Sequence, residues 1–206
     1  MNRWMLAAVA VVAVYAGSAG AQNAMPSPSP APSPPQRLDG TVATVTDKSL
    51  TVTGKDGTNT AVDILPVATV TVVTPITLDQ IQAGSYVATA NKTQADGTGV
   101  SIEIRVFPPD TRRFDVNRAM DQTGETIMTN GSVATAVTTP AGRQLTVDYG
   151  SGKRTVTVPA GIPISLNTPG TLAMVHVGDH VMVTTGQGPG GVARQQIRII
   201  KTDAPK

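Results

Sequence analysis

The chain contains no cysteine, so disulfides, thiol chemistry and cysteine-ligated metals are excluded. Aromatic residues make up 3% of the 206 positions and charged residues 15%, against roughly a quarter charged in an ordinary soluble domain. There are two histidines, His176 and His180. Arg3 is the only charged residue in 1–21, so the chain from Gln22 onward carries 15 basic and 14 acidic residues. That balance gives no strong field toward phosphate backbones or anionic membranes. After residue 21 no stretch is long and apolar enough to span a bilayer, so the mature form is expected to have no membrane span.

What is abundant is threonine, valine, glycine and proline. The first two are β-branched and suit a half-buried pleated surface, which points to an all-β fold. Ahead of that, Met1-Asn2-Arg3 supplies one positive charge, and Trp4 to Ala16 runs apolar and uncharged. Small residues follow, ending Ala19-Gly20-Ala21. A charged start, a short apolar run and a small-residue exit predict a secretory signal over 1–21, cleaved after Ala21, and a periplasmic or secreted protein. The apolar run is shorter than the roughly 20 residues a membrane helix needs. The sequence PSPSPAPSPPQ then gives a spacer over 22–37 that cannot bury a core and favours extended polyproline II.

Two similar stretches follow. Leu38-Asp39-Gly40-Thr41-Val42-Ala43-Thr44-Val45 matches Thr129-Asn130-Gly131-Ser132-Val133-Ala134-Thr135-Ala136, and Leu50-Thr51-Val52 matches Leu145-Thr146-Val147. Thr74-Pro75, Leu78, Gly84 and Val87 return as Thr168-Pro169, Leu172, Gly178 and Val181, and Ile102 and Ile104 align with Ile197 and Ile199. Ordered landmarks at a drifting offset predict a duplication, with one β domain at 38–107, a connector at 108–128, a second domain at 129–201 and a tail at 202–206. Each unit reads as short alternating strands separated by turns such as Lys55-Asp56-Gly57 and Asp96-Gly97. Leu78–Gly84 and Leu172–Gly178 carry apolar residues three apart and end in glycine, so each is expected to make one or two helical turns at a barrel end, Thr77 capping the first. Strands, a short helix, then two strands is the order of the oligonucleotide/oligosaccharide-binding (OB) barrel. The expectation is two tandem small OB-like β-barrels, with a small β-sandwich as the alternative. The connector lacks clear periodicity, and Phe114 favours an ordered strap, docked on one domain, over a plain hinge.

The pattern Gly-Thr/Ser-Val, Leu-Thr-Val, Asp-Gly, Leu-x-x-Ile/Val-x-x-Gly resembles secreted bacterial tandem domains of unknown function with an OB-like barrel. Phe107-Pro108 after the first unit and Met128-Thr129-Asn130-Gly131 opening the second carry the resemblance furthest, and it covers 38–201. It implies the fold. The family brings no activity or catalytic residues to transfer, and although some relatives carry a metal-transporter label, this chain has no series of membrane spans from which a permease could be built.

Candidate chemistry is sparse. His176 and His180 are four apart, a spacing that can hold a metal on a helix, but Gly178 between them ends the helix, so they read as two rim histidines. Asp47, Asp56, Asp96 and Asp148 sit in turns without the alternating oxygen ligands of a calcium loop. The glycine-rich stretches 96–99 and 186–191 lack the Lys-Ser/Thr of a phosphate loop. No serine stands in a nucleophile motif with a histidine and a carboxylate. Single-strand nucleic-acid binding would draw on Tyr86, Phe107, Phe114 and Tyr149 with Arg105, Arg112, Arg113 and Arg118, but Asp110 and Asp115 interrupt the basic run and export removes the protein from cellular nucleic acid. Arg112, Arg113 and Phe114 are the best binding candidates. No cofactor is expected. The sequence reads as a non-enzymatic exported module that binds or supports an envelope protein or glycan, with a small-ligand or oligosaccharide binder as the alternative.

Overall fold

The structure is a computed structural model, and residues 36–111, 114–140, 142–188 and 191–202 are described. The export signal, most of the spacer, Arg112 and Arg113 lie outside the described residues. The described chain is all-β. Its strands are β1 (Gln36–Val45), β2 (Ser49–Gly54), β3 (Asn59–Asp63), β4 (Thr69–Pro75), β5 (Tyr86–Thr93), β6 (Gly99–Phe107), β7 (Val116–Ala119), β8 (Thr126–Thr139), β9 (Gly142–Asp148), β10 (Lys153–Val158), β11 (Ile164–Gly170), β12 (His180–Gln187) and β13 (Ala193–Ile200).

Alternation sets the faces, because successive side chains of a strand point to opposite sides. Leu50 and Val52 on β2, Leu145 and Val147 on β9, and Ile197 and Ile199 on β13 are all at most 1% exposed. Each such side chain contributes ~2 kcal/mol relative to exposure. Gly40 and Gly131 are where strands cross most closely. A Cβ on Gly40 would stand 2.1 Å from the Thr53 carbonyl oxygen, and one on Gly131 would stand 2.1 Å from that of Asp148. Just after them β1 and β8 each carry a register shift, between Val42 and Thr44 and between Val133 and Thr135. Such a shift bends a strand so that it can serve two neighbours.

Strands β6-β5-β8-β9-β10 close into a five-stranded barrel, antiparallel except where β10 meets β6 in parallel at Val156–Gly99 and Thr157–Val100. The remaining strands continue from β6 in the order β11-β4-β13-β12-β1-β2-β3, and β7 pairs with β8. β11 runs parallel to β6, β4 runs parallel to β13, and β4 and β11 form an antiparallel ladder from Ser165–Pro75 to Gly170–Val70.

Two apolar clusters result, and each draws on both halves of the sequence. One joins Val42, Leu50 and Val52 to Val175, Val181, Val183, Ile197 and Ile199. The other joins Ile81, Val87, Ile104 and Val106 to Val133, Leu145, Val147 and Val158. Neither 38–107 nor 129–201 encloses a core of its own, and the described residues fall in one compact unit. The chain changes sides after β4 and again after β11, through single 3₁₀ turns at Leu78–Gln80 and Leu172–Met174. Ile81 and Val175, which end those turns, are buried in the cluster that the chain is entering. The Thr77 amide donates to Gln80 Oε1 at 2.9 Å, and Gly84 and Gly178 follow with φ of +89° and +91°.

The ladders also correct an alignment. Val87 faces Val106 across β5–β6 as Val181 faces Ile199 across β12–β13, so the partners of Ile197 and Ile199 are Ile104 and Val106. Ile102 is 42% exposed. A register shift between Ala90 and Asn91 displaces that end of the β5–β6 ladder. Part of the expected connector is structured as well. β7 pairs with β8, and β8 begins at Thr126, inside it. With its apolar residues, Val116 and Ala119, three positions apart, β7 has no alternation to read.

Candidate binding face

The β4–β11 ladder has two faces. Val70, Val72, Ile164 and Leu166 point into the two cores. The other face is outward and mixed. Across it Arg105 lies beside Ser165 and Ser165 beside Pro75, while Pro169 lies beside Thr71, Thr71 beside Arg198, Arg198 beside Met182 and Met182 beside Asp39. Val73 and Asn167 face each other between those rows. Arg105 and Arg198 thus stand on one face of the sheet, on either side of its centre.

Their surroundings differ. Arg105 forms a two-point ion pair with Glu103, Nε to Oε1 at 2.5 Å and Nη2 to Oε2 at 3.1 Å. Farther along, Asp39 Oδ1 meets His180 Nε2 at 3.0 Å, and Asp39 Oδ2 lies 3.8 Å from Arg37. The hydrogen bond from His180 holds the Asp39 carboxyl below its usual range, against a smaller desolvation effect. Arg198 is half-buried, and among the described residues its guanidinium has neither a hydrogen-bond acceptor nor a carboxylate within ion-pair distance. Burial pushes its pKa down and the Arg105 charge adds to that, while the Glu103 carboxylate, outside ion-pair distance, pushes it back up to a smaller extent.

Cavities flank the ladder on both sides. One of about 620 Å³ is lined by Thr69, Thr71, Phe107, Asn167, Pro169 and Leu172 among others. One of about 410 Å³ is lined by Val73, Ile76, Glu103, Ile162, Ile200 and Arg198 among others. Asn167 is 6% exposed and accepts from Ser165 Oγ at 3.0 Å.

The expected candidates fall elsewhere. His176 and His180 do not converge. His176 lies 3.7 Å from Asp179 through Nδ1, whereas His180 turns to Asp39. Asp179 also accepts from Lys201 Nζ at 2.9 Å, and although burial raises its pKa, the bonds from Lys201 and the His176 amide outweigh that and lower it. Among the described residues no group of three metal-ligating side chains occurs. Phe114 is not docked. The residue is 67% exposed, and its amide donates to the Tyr86 hydroxyl at 2.6 Å. Tyr86 packs on Phe107 with ring centroids 5.9 Å apart. Asp56 and Asp96 accept from the amides of Thr58 and Thr98 at 3.0 and 2.9 Å, next to Gly57 and Gly97 at positive φ, so both are hairpin turns.

Sequence reasoning missed three polar groups. Arg154 spans from β10 to the β5–β6 hairpin, donating to Asn91 Oδ1 at 2.8 Å, Thr93 Oγ1 at 3.1 Å and the Gly97 carbonyl at 3.3 Å. Asn91 in turn donates to the Ile127 carbonyl and to Thr129 Oγ1. Gln195, 3% exposed, accepts from the Leu65 amide and donates to the Asp63 carbonyl, both at 2.9 Å, fastening β13 to the end of β3 where no backbone ladder forms. The signal for Gln195 was present, since the inward register of Ile197 and Ile199 extends to it. No helix among the described residues is long and apolar enough to cross a membrane. No family model, curated protein or solved structure matches the chain.

Proposed function

We propose that the protein is a non-enzymatic binding module of the bacterial envelope, exported by a signal cleaved after Ala21. It is built from two OB-like barrels whose last two strands are exchanged between the repeats. The observation that carries the binding reading is the outward face of the β6-β11-β4-β13-β12-β1 sheet, which runs across strands from both halves and holds a half-buried Arg198 with no hydrogen-bond or ion-pair partner among the described residues. The exchanged-barrel reading rests on the pairing scheme. Antiparallel β5–β8 and β5–β6 with parallel β6–β10 is the OB order, apart from β5 and β6 coming from the first repeat. Fold alone assigns no ligand.

Affinity capture tests the binding reading. Immobilised mature protein is expected to retain a specific envelope component, and Thr71→Arg, which adds bulk and charge at the centre of the face, is expected to release it. Turnover of any substrate at ordinary enzyme rates, or retention indifferent to Thr71→Arg, would contradict the reading. A small-ligand or oligosaccharide binder is the second reading, favoured by the two cavities beside the ladder, whose sizes of about 620 and 410 Å³ fall in the range of small-molecule sites.

A further inference from the structure

Three features of the cavity beside Ile162 belong together. First, its walls are largely apolar: Val73, Pro75, Ile76, Ile162 and Ile200 all line it. Second, its charged lining groups are Glu103, Arg198 and Lys201, and two of these are already satisfied. Glu103 is held at both oxygens by Arg105, and Lys201 is paired with Asp179. Among the described residues one positive charge is left without a hydrogen bond or ion pair of its own, and it sits on Arg198, which feels the Glu103 carboxylate only at a distance. Third, that guanidinium is half-buried and finds no acceptor among the described residues. A guanidinium offers five N–H donors in a planar fork that fits a carboxylate bidentately. Leaving such a group partly desolvated and unpaired costs free energy that an incoming anion removes.

We infer that this cavity is a binding site for an organic monocarboxylate with an apolar body, its carboxylate held by the Arg198 fork and its apolar part lying against Ile76, Ile162 and Ile200. The net of one unpaired cation sets the charge of the ligand. A dianion such as a phosphate monoester would bring its second charge toward the Glu103 carboxylate, which lines the same space. The apolar walls exclude small hydrophilic acids as good ligands, because acetate buries almost no surface there. The cavity, at about 410 Å³, accommodates a chain or ring of moderate size. Arg105, the other arginine of the face, is already occupied by Glu103 and is not a second site. This inference rests on the binding-module reading and names a ligand class for it.

The probe is octanoate, titrated into the mature protein and followed both by calorimetry and by melting temperature. Octanamide, acetate and octyl phosphate serve as comparisons. Saturable binding of octanoate is expected, at least tenfold tighter than that of any comparison compound. Arg198→Gln is expected to weaken octanoate at least tenfold while leaving the unliganded melting temperature within a few degrees of wild type, and Arg198→Lys to restore part of the affinity. Ile162→Ser, which leaves the charge in place, is expected to weaken octanoate and not acetate. Absence of saturable octanoate binding, or equal binding by folded Arg198→Gln, would overturn the inference. If octanoate fails and the Thr71-dependent capture of an envelope component persists, only the carboxylate site falls. If both fail, the binding-module reading falls with it.

Discussion

At the scale of single residues, the polar groups that matter are those that tie one element to another. Asp121 is fully exposed, yet its Oδ2 accepts the Thr126 amide at 2.9 Å, and its Oδ1 accepts the Glu125 amide at 3.1 Å and the Thr123 hydroxyl at 3.0 Å. The bond from Thr126 leads in lowering its pKa from 3.8 to about 2. A depressed folded-state pKa means that the carboxylate supports the 121–126 turn fully above the unfolded value and loses that support as pH falls toward 2. The Thr126 amide proton should therefore titrate with a midpoint near 2 in an NMR pH series. A midpoint near 3.8 would show that the turn does not hold the carboxylate. Arg154 is a larger case. Replacing it with methionine strands Asn91 Oδ1 and unfastens β10 from the β5–β6 hairpin, which should cost about 2 kcal/mol in chemical denaturation. An unchanged midpoint would mean that the parallel β10–β6 pairing holds without it.

At the scale of elements, the strands were legible and some of their neighbours were not. Val42, Leu50 and Val52 announce inward faces by alternation with threonine, and the Gly40–Gly131 match marks the two close crossings. β7 was illegible because Val116-Asn117-Arg118-Ala119 has no period, and the partner strand β8 supplies the order that its own sequence lacks. Arg198 was passed over for a related reason. Alternation beside Ile197 and Ile199 places it outward, where an arginine draws no notice, and only the neighbouring strands show that it is half-buried and without a partner among the described residues. β3, at the end of the sheet, is exposed at four of its five positions, and Gln195 is its link to β13. Gln195→Leu keeps the volume but removes both bonds. It should speed hydrogen exchange at the β3 amides and lower stability by about 1–2 kcal/mol. Exchange confined to its wild-type rate would assign the closure to apolar packing of Val62 and Leu65 instead.

At the scale of the whole molecule, the decisive feature is which copy pairs with which. If the repeats are a duplication, β5 and β12 are equivalent strands, and either could serve either core by its pattern alone. Val87 and Val181 are both 0% exposed in their respective cores. Local sequence cannot choose between these near-degenerate partners. The choice is made by long-range geometry: β4 and β11 run side by side and carry each chain segment across to the other core before β5 and β12 begin. The molecule should consequently unfold in a single cooperative transition, since neither core survives the loss of one half.

The most direct test of this interleaving uses the absence of native cysteine. Thr41 and His180 are direct partners across β1–β12, and directly opposed antiparallel residues lie roughly 4.5–5.5 Å apart at Cα, within reach of a disulfide. Tyr86 is the residue that would face Thr41 if each repeat closed on itself, since Tyr86 takes on β5 the place that His180 takes on β12. The account predicts that a Thr41→Cys/His180→Cys double variant oxidises within the monomer, seen as a mobility shift on non-reducing gels, while Thr41→Cys/Tyr86→Cys does not. Oxidation of the second pair and not the first would mean that each repeat folds on itself, and would contradict the exchanged architecture and the shared sheet face built on it.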